Sequence, residues 1–326
     1  MGEPNNALAV YMNRPDRIRS VLEYYIGEKL PQDWQCEEIR GFYTIRNAKG
    51  KLSFRQRDFL ADVSMGGMRF KLALENQDSV NLIYPWRLME MDCLAYGKEI
   101  EEIQERNLLA GESYGQGDDF KYHYKKEDRI EPILDLTLYW GKEKWDGPLG
   151  LRELMTDMGT LPQKMISLAG DYRVNLISMR TIPEGDLQKM DSDLKYVLGF
   201  MKHTSSRKQY EKYIRENRDF FTRIPRSAVD VIDACTNIKD IQERLQFTLN
   251  EENGEEEGNM CKALDDIKKH AEKKGEKKGE KKGERRGNQR TNKLIQILLA
   301  EGRQEDLLRS ATDSLFQQQL FRKYHI

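Results

Sequence analysis

The sequence has no long apolar run and little of what builds metal centres or disulfide frameworks. Hydrophobic residues make up 38% of the 326 residues and charged residues 33%, which is a polar composition. No apolar segment approaches the roughly 18 residues that a membrane helix requires. The first residues also lack the basic-then-apolar order of a secretion signal. We therefore expect a cytoplasmic protein without a membrane partner.

Cysteine and histidine are scarce, with four residues of each type, and they lie far apart. No Cys-x-x-Cys pair occurs, and the histidines show no spacing typical of metal ligands. Ordinary reduced cysteines are expected, so we set aside a zinc site and a disulfide framework. The positions concerned are Cys36, Cys93, Cys235, Cys261, His123, His203, His270 and His325.

Charge is distributed unevenly along the chain, although the net charge is only −1. Residues 251–258 carry five glutamates, whereas residues 268–290 carry eleven lysines and arginines against four glutamates, an excess of seven positive charges. A basic block of this kind is a candidate contact for nucleic acid, although charge runs are more often simply solvated.

The basic block contains a four-residue repeat, EKKGEKKGEKKGERRG, at residues 272–287. Glycine in a helix interior costs about 1 kcal/mol per site, so the repeat alone is expected to be marginally helical at best. It is interpreted as a charged spacer or solvent-exposed helix, or else as a DNA contact. Residues 294–321, which follow it, carry the apolar stripes of a small helical module. The candidate DNA contacts in the repeat are Lys273, Lys277, Lys281 and Arg285.

Residues 57–77, RDFLADVSMGGMRFKLALENQ, have the pattern of a β-hairpin. Two short alternating runs flank Gly66-Gly67, and a Gly-Gly loop is one of the stronger short-range hairpin signals. If Met65 and Met68 flank the turn, one face of the hairpin is wholly apolar, which supports that register. The expected partners are Met65/Met68, Ser64/Arg69, Val63/Phe70, Asp62/Lys71, Ala61/Leu72, Leu60/Ala73, Phe59/Leu74 and Asp58/Glu75.

The polar face of this hairpin contains one unfavourable pair. Asp62 opposite Lys71 suits an ion pair, but Asp58 opposite Glu75 sets two carboxylates at a cross-strand spacing of roughly 5 Å, which is destabilising. A divalent cation would neutralise them, since Mg²⁺ is usually held by one or two carboxylates with water and substrate phosphate. Gln77 lies on the same strand face as Glu75, where its amide could orient water or a phosphate oxygen. These residues predict a metal-dependent phosphodiesterase site.

Hydrophobic periodicity predicts helices before and after the hairpin and further strands beyond it. Pro85 suits the first turn of the helix that follows the hairpin. Residues 130–140 are apolar on nearly both faces, as in a strand buried in the middle of a sheet. The predicted segments are a helix at 16–27, an irregular stretch up to the hairpin, a helix at 86–106, a loop at 111–128, a strand at 130–140, the start of a helix at 149–155, a strand at 172–178, and helices at 185–203, 206–221 and 227–247.

An aspartate on one strand, then Glu-x-Lys or Glu-x-Gln on the next antiparallel strand with a helix on either side, resembles the PD-(D/E)XK nuclease core. The closer likeness is to the recombination-promoting nuclease (Rpn) group of bacterial proteins, which are often labelled as transposases. It covers about residues 16–245, and a basic glycine repeat with a short helical tail is also usual in that group. The matching motifs are Arg57-Asp58-Phe59-Leu60, Glu75-Asn76-Gln77, Pro85-Trp86-Arg87, Tyr139-Trp140-Gly141 and Trp145-Asp146-Gly147-Pro148.

The resemblance implies an α/β fold in which a restriction-endonuclease-like mixed sheet is flanked by helices and followed by a helical C-terminal extension. It implies a metal-dependent DNA endonuclease of recombination or transposition type, with Mg²⁺ or another divalent cation as cofactor. Asp58 and Glu75 are the implied metal ligands, and Gln77 stands in the place of the superfamily's usual lysine. The expected domains are a nuclease-like domain at 1–205, a helical extension at 206–250, a charged glycine-repeat linker at 251–290 and a small helical module at 291–326.

Several alternatives stay open at the level of sequence. A neutral amide at Gln77 stabilises developing charge less well than an ammonium group, which leaves open weak activity or a catalytically inactive DNA-binding or assembly protein with the same fold. Glu23 in the first helix is a further candidate ligand, and Arg87 is a candidate phosphate contact. Asp58 and Glu75 are otherwise ordinary strand-end residues in water. The C-terminal helices are candidates for forming a homo-oligomer.

Overall fold

The computed structural model describes residues 3–39, 42–46, 52–110, 123–236, 238, 241, 243–252 and 254–326. The chain divides into two compact units, residues 1–261 and residues 262–326. In chain order, the described elements up to residue 258 are α1 (Glu3–Met12), α2 (Pro15–Ile26), β1 (Gln35–Glu38), β2 (Phe42–Arg46), β3 (Leu52–Gln56), β4 (Phe59–Met65), β5 (Met68–Gln77), α3 (Tyr84–Leu109), β6 (Ile133–Tyr139), a 3₁₀ turn (Leu151–Leu154), α4 (Gln163–Ile166), β7 (Leu176–Ser178), a second 3₁₀ turn (Met179–Thr181), α5 (Glu184–Leu187), α6 (Leu194–Lys202), α7 (Arg207–Glu216), α8 (Arg218–Phe221), β8 (Ile224–Pro225), α9 (Arg226–Thr236), β9 (Thr248–Leu249) and β10 (Glu256–Gly258).

A five-stranded mixed sheet lies at the centre of the first unit, in the order β1-β4-β5-β6-β7. The pairs β1/β4 and β4/β5 are antiparallel, whereas β5/β6 and β6/β7 are parallel. Parallel neighbours need a crossover connection, and α3 supplies it between β5 and β6. The side chains of β6 are buried except for Leu134, as predicted for a strand in the middle of a sheet. The expected mixed sheet flanked by helices is therefore confirmed.

The hairpin register is confirmed for all seven pairs within β4 and β5. Gly66 and Gly67 have φ values of 57° and 75°, the left-handed conformation that a tight two-residue turn between strands requires. The open end of the hairpin differs from expectation, because β4 begins at Phe59 and Asp58 falls just outside the ladder. The position of Asp58 is therefore set by its side chain rather than by strand pairing.

Lys71 is the centre of a small group of ion pairs on the polar face of the hairpin. Its Nζ lies 3.9 Å from Asp62 Oδ1, 3.2 Å from Glu99 Oε2 and 3.0 Å from Glu131 Oε2. The predicted pair between Asp62 and Lys71 is thus present, but it is the longest of these three contacts. Glu99 of α3 and Glu131 before β6 are the nearer partners because both elements pack beside β5.

The stretch before the hairpin contains strands that the sequence did not reveal. β1 pairs antiparallel with β4 at the edge of the sheet, and β2 pairs with β3. The prediction of an irregular stretch was wrong because Gln35–Glu38, a polar segment without strand-like alternation, is held by its neighbour rather than by its own propensity. Asn47 and Gly50, which suggested irregular structure, lie outside the described residues. The helix α1 was also not predicted.

The predicted helices on either side of the hairpin are confirmed as α2 and α3. Gly27 ends α2 in the left-handed conformation, with φ of 75°. The loop expected at 111–128 lies partly outside the described residues. Further along, the helix predicted from 149 is a 3₁₀ turn, β7 has three residues, and the helices predicted at 185–203 and 206–221 are each divided in two. The helix predicted at 227–247 is described as α9 up to Thr236, residues 243–247 are not helical, and residues 237, 239, 240 and 242 lie outside the described residues.

A single helix, α10 (Met260–Ala300), runs through the glycine repeat for 41 residues. The repeat at 272–287 is helical throughout and exposed, which agrees with its interpretation as a solvent-exposed helix. The marginal helicity expected above is that of the repeat alone, without its flanking segments. Lysine, arginine and glutamate fill the other positions of the repeat and favour helix, and a helix that is already nucleated on both sides propagates cooperatively. The boundary expected between residues 290 and 291 falls inside this helix.

The second unit has an apolar core of its own. α11 (Gln304–Thr312) and α12 (Ser314–Lys323) pack with the last turns of α10, and Leu294, Leu298 and Leu320 are buried between them. This is the small helical module that the apolar stripes predict. Leu299, Leu308 and Leu315 stay exposed, and homo-oligomer formation through these helices stays a prediction.

Candidate active site

The open end of the hairpin brings two carboxylates together. Asp58 immediately precedes β4, and its Oδ2 accepts a hydrogen bond of 2.8 Å from the backbone N–H of Asn76. The Asp58 carboxylate thus accepts a hydrogen bond from the backbone of β5 just beyond the last backbone pair between β4 and β5. Glu75, one residue earlier on β5, has only 1% of its surface exposed. The negative charge of Asp58 contributes to the raised pKa of Glu75, and the bond from Asn76 holds the Asp58 carboxylate one residue from Glu75 along β5.

Both carboxyl groups bind protons more tightly than they would in water. Burial, followed by the negative charge of Asp58, raises the pKa of Glu75 to about 8, against the opposing fields of Arg57 and Arg87. Burial also raises the pKa of Asp58, although the backbone hydrogen bond from Asn76 and the charge of Arg87 act to lower it. A further cation beside these groups would favour their ionised forms.

Arg87 lies in the first turn of α3 and is half-buried. Its positive charge lowers the pKa of both Asp58 and Glu75, which sets the guanidinium within electrostatic reach of both carboxyl groups. Within the described part of the chain, its side chain forms no ion pair and no hydrogen bond. A guanidinium carries five N–H donors in a fixed fork, which is the geometry that a phosphate contact at Arg87 would use.

Gln77 ends β5 on the same face of the sheet as Glu75. Strand register pairs Glu75 with Thr137 and Gln77 with Tyr139 on β6, so these four residues line one face. Gln77 is buried, and its amide has no hydrogen-bond partner among the described residues. Asn76 between them faces the opposite side, where its Oδ1 accepts a 3.0 Å bond from Trp140 Nε1.

A buried polar network beside Glu75 was missed by sequence reasoning. The guanidinium of Arg57 is fully buried and forms ion pairs with Asp92 of α3 and Asp135 of β6. Its Nη1 also lies 3.7 Å from Glu75 Oε1. The hydroxyl of Tyr172 donates to Asp92 and lies 3.3 Å from Asp135 Oδ2. One fixed cation therefore faces three carboxyl groups from three different elements.

The network contains more acidic groups than basic groups, and the pKa values of its members are shifted as a result. Burial lowers the pKa of Arg57, but the charges of Asp135, Glu75 and Asp92 outweigh burial and raise it. Burial raises the pKa of Asp135 to about 7, with Arg57 acting against this and Asp92 adding to it. The sequence held a signal for this network, because an aspartate at 135 interrupts an otherwise apolar central strand.

The remaining predicted site residues lie elsewhere in the fold. Glu23 on α2 accepts hydrogen bonds from Arg19, Lys29 and the backbone N–H of Leu30. Burial would raise the pKa of Glu23, but the bonds from Lys29, Arg19 and Leu30 lower it overall. The structure therefore does not bring Glu23 to the two carboxylates. Lys273, Lys277, Lys281 and Arg285 are exposed on α10, and DNA contact there stays a prediction.

The donor set suits a hard divalent cation. Asp58, Glu75 and Gln77 offer carboxylate and amide oxygens, which are the ligands that Mg²⁺ prefers. Glu75 Oε1 is buried and has no hydrogen-bond partner among the described residues. Across the described ranges, no group of three or more His, Cys, Asp and Glu residues is arranged to hold a metal ion. Asp58 and Glu75 by themselves would fit an ion held by two carboxylates, with water and substrate as its other ligands.

The fold and the site together define an α/β protein with a buried carboxylate cluster at one end of a mixed sheet. Comparison of the chain with protein-family models, with curated proteins and with solved structures finds no match. None of the described helices is both long enough and apolar enough to span a bilayer. The argument for function therefore rests on the side chains of the site and on the resemblance of the motifs.

Proposed function

We propose that this protein is a metal-dependent DNA endonuclease that hydrolyses phosphodiester bonds at the end of the hairpin. The observation that carries the proposal is that the Asp58 carboxylate is bonded at 2.8 Å to the backbone of Asn76, next to buried Glu75, while Arg87 in the first turn of α3 has no partner among the described residues. Two carboxylates can ligate a divalent ion, and an available arginine beside them can bind the phosphate. This combination supports phosphodiester chemistry better than a purely structural role.

The order of elements supports the same proposal. A helix, an edge strand, an antiparallel hairpin, a crossover helix and a parallel strand follow one another as α2, β1, β4–β5, α3 and β6. This is the arrangement in which the PD-(D/E)XK resemblance expects its acidic residues, on two adjacent antiparallel strands. Asp58 and Glu75 lie on those two strands or next to them, and Gln77 follows two residues later.

Each residue has a distinct chemical role in this proposal. Asp58 and Glu75 would hold the ion, which when bound polarises the phosphate and lowers the pKa of the attacking water. The backbone N–H of Asn76 orients the Asp58 carboxylate through its 2.8 Å bond. Arg87 would bind phosphate oxygens, and the Gln77 amide would orient water by hydrogen bonding without supplying charge. Glu75 must lose its proton before it can act as a ligand.

One observation favours a second candidate, a DNA-binding or assembly protein that keeps the fold with little or no activity. Arg57 already lies 3.7 Å from Glu75 Oε1 and provides a counter-charge inside the protein. A site that is neutralised internally has less need of a metal ion. The two candidates differ in whether Asp58 matters for cleavage or only for folding.

Plasmid nicking by the full chain in Mg²⁺, compared with EDTA, tests the proposal. Asp58→Ala should lower the nicking rate by roughly 100-fold or more, because it removes electrostatic stabilisation at the scissile phosphate, while DNA affinity changes little. Asp62→Ala, on the same hairpin but paired with Lys71, is the matched control and should cleave normally. Nicking that is insensitive to both EDTA and Asp58→Ala would rule out the proposal, and DNA binding without any nicking in Mg²⁺ would favour the inactive candidate.

Gln77 provides a directional test of the site alignment. Gln77→Lys adds an ammonium group where the wider superfamily has one, so it should raise the single-turnover cleavage rate, roughly tenfold. Gln77→Ala removes the amide that orients water and should lower the rate. If lysine abolishes cleavage and alanine has no effect, Gln77 does not occupy the position of the superfamily's lysine.

A further inference from the structure

Three large apolar side chains are exposed at the start of α3. Leu82 is 68% exposed, Ile83 59% and Trp86 47%. Trp140 and Trp145 are buried, and Trp34 is partly covered and lies beneath the guanidinium of Arg19. Such a cluster on a protein surface marks a contact for another molecule. We call Leu82, Ile83 and Trp86 the apolar rim.

The apolar rim is held firmly by the residues between its members. Tyr84 is fully buried, its hydroxyl lies 3.1 Å from Thr137 Oγ1, and its ring packs edge-on against Trp145. The backbone N–H of Ile83 donates to the side chain of Asn81 at 3.0 Å. Presenting these apolar groups to a ligand therefore requires no ordering of a loop, which lowers the entropic cost of binding.

The apolar rim lies at the start of the helix that packs on the strand face of Glu75. Arg87 follows Trp86 in the first turn of α3, and the Tyr84 hydroxyl of that turn lies 3.1 Å from Oγ1 of Thr137, which strand register pairs with Glu75. The indole of Trp86 makes no ring contact and no hydrogen bond with the described residues. A ligand that reaches both residues must combine an anionic group with a flat apolar surface. A nucleotide has both, in its phosphate and its base.

We propose that the apolar rim binds an unpaired nucleobase, with Trp86 as the stacking platform, so that the site prefers single-stranded or locally unpaired DNA. This inference rests on the proposed function for the identity of the ligand. In a duplex, both faces of a base are covered by its neighbours, so an exposed indole has nothing to stack on. An unpaired base offers a free face, and every base has one, so the preference is for strand structure rather than for sequence.

The experiment measures binding of the full chain to fluorescently labelled oligonucleotides by anisotropy, in Ca²⁺ to provide a hard cation. The probes are a single strand, its perfect duplex, and the same duplex with a two-base bulge. The wild-type protein should bind the single strand and the bulge more tightly than the duplex. Trp86→Ala should weaken binding to those two probes roughly tenfold and leave duplex binding nearly unchanged.

Two variants serve as controls. Trp86→Phe keeps an aromatic ring and should retain binding within about twofold of wild type. Leu108→Ala removes an exposed apolar side chain from the far end of α3 and should bind all three probes normally. Intrinsic fluorescence gives an independent readout, because the single strand should quench the wild-type emission and should quench Trp86→Phe much less. This quenching test decides the matter if Trp86→Ala does not fold.

The inference is overturned if Trp86→Ala binds every probe like wild type, if it loses single strand and duplex equally, or if Trp86→Phe is quenched as strongly as wild type. Absence of any DNA binding by wild type also overturns it. The proposed function and this inference can fail separately. DNA binding that depends on Trp86, without nicking in Mg²⁺, would reject the proposed function and leave the inference intact. Nicking without any effect of Trp86 would reject the inference alone.

Discussion

Arg57→Met should lower the free energy of unfolding by about 3–5 kcal/mol, because it removes the one cation from a buried group of acids. The guanidinium pairs with Asp92 and Asp135 and lies near Glu75, and all three acidic residues are buried. Methionine preserves the volume but leaves the carboxyl groups without compensating charge. Urea unfolding monitored by circular dichroism gives the free energy directly.

The loss of stability caused by Arg57→Met should increase as the pH rises. Without the cation, Glu75 and Asp135 can remain in the core only as neutral acids, and protonating them becomes harder as pH rises. The destabilisation should therefore be larger at pH 8 than at pH 5.5. Arg69→Met is the matched control, since Arg69 is exposed and pairs with Glu131 at 3.1 Å, and its loss should stay within about 1 kcal/mol. Equal, small losses in both variants would contradict the role given to Arg57.

Glu75→Gln should remove a large part of the pH dependence of stability. The pKa of Glu75 is about 8 in the folded protein and about 4.5 when exposed to water. The folded state therefore holds a proton that the unfolded state releases, so stability falls as pH rises through this interval. Each unit of pKa difference corresponds to about 1.4 kcal/mol, which predicts a fall of roughly 3–5 kcal/mol from this one group. Glutamine mimics the neutral acid and should be the more stable protein at pH 8.

Thermal melting in EDTA at pH 5 and pH 8 measures this difference. Asp135, with a pKa raised to about 7 by burial, contributes over an overlapping interval, so the slope of Glu75→Gln should be reduced rather than abolished. Glu102→Gln alters an exposed carboxylate of α3 and should leave the wild-type slope unchanged. Mg²⁺ should restore stability to wild type at pH 8 and not to Glu75→Gln, because only the wild type offers a carboxylate there. An unchanged slope in Glu75→Gln would mean that Glu75 is ionised in the folded protein.

The sequence-based predictions were most accurate where a structure depends on residues close together in sequence, and less accurate where it depends on distant residues. The hairpin turn and seven of its eight expected pairs were predicted correctly, because a Gly-Gly turn and period-two alternation lie within about twenty consecutive residues. β1 was missed because its four polar residues have no strand signal and depend on pairing with β4. The glycine repeat shows how flanking structure adds to a weak local signal. The helix propensity of its glycines is low, yet the repeat is helical because helix formation propagates into it from the segments on both sides.

The sequence by itself determined that Asp58, Glu75 and Gln77 share one end of a hairpin, because register and side-chain alternation follow from local spacing. Pro85 also indicated that a helix begins shortly after the hairpin, and Arg87 lies in the first turn of that helix. The tertiary structure decided what surrounds these groups. Arg57, Asp92, Asp135 and Tyr172 meet only when α3 crosses over to the parallel strand β6, and residues this far apart leave no periodic signal. Burial, followed by the negative charge of Asp58, raises the pKa of Glu75.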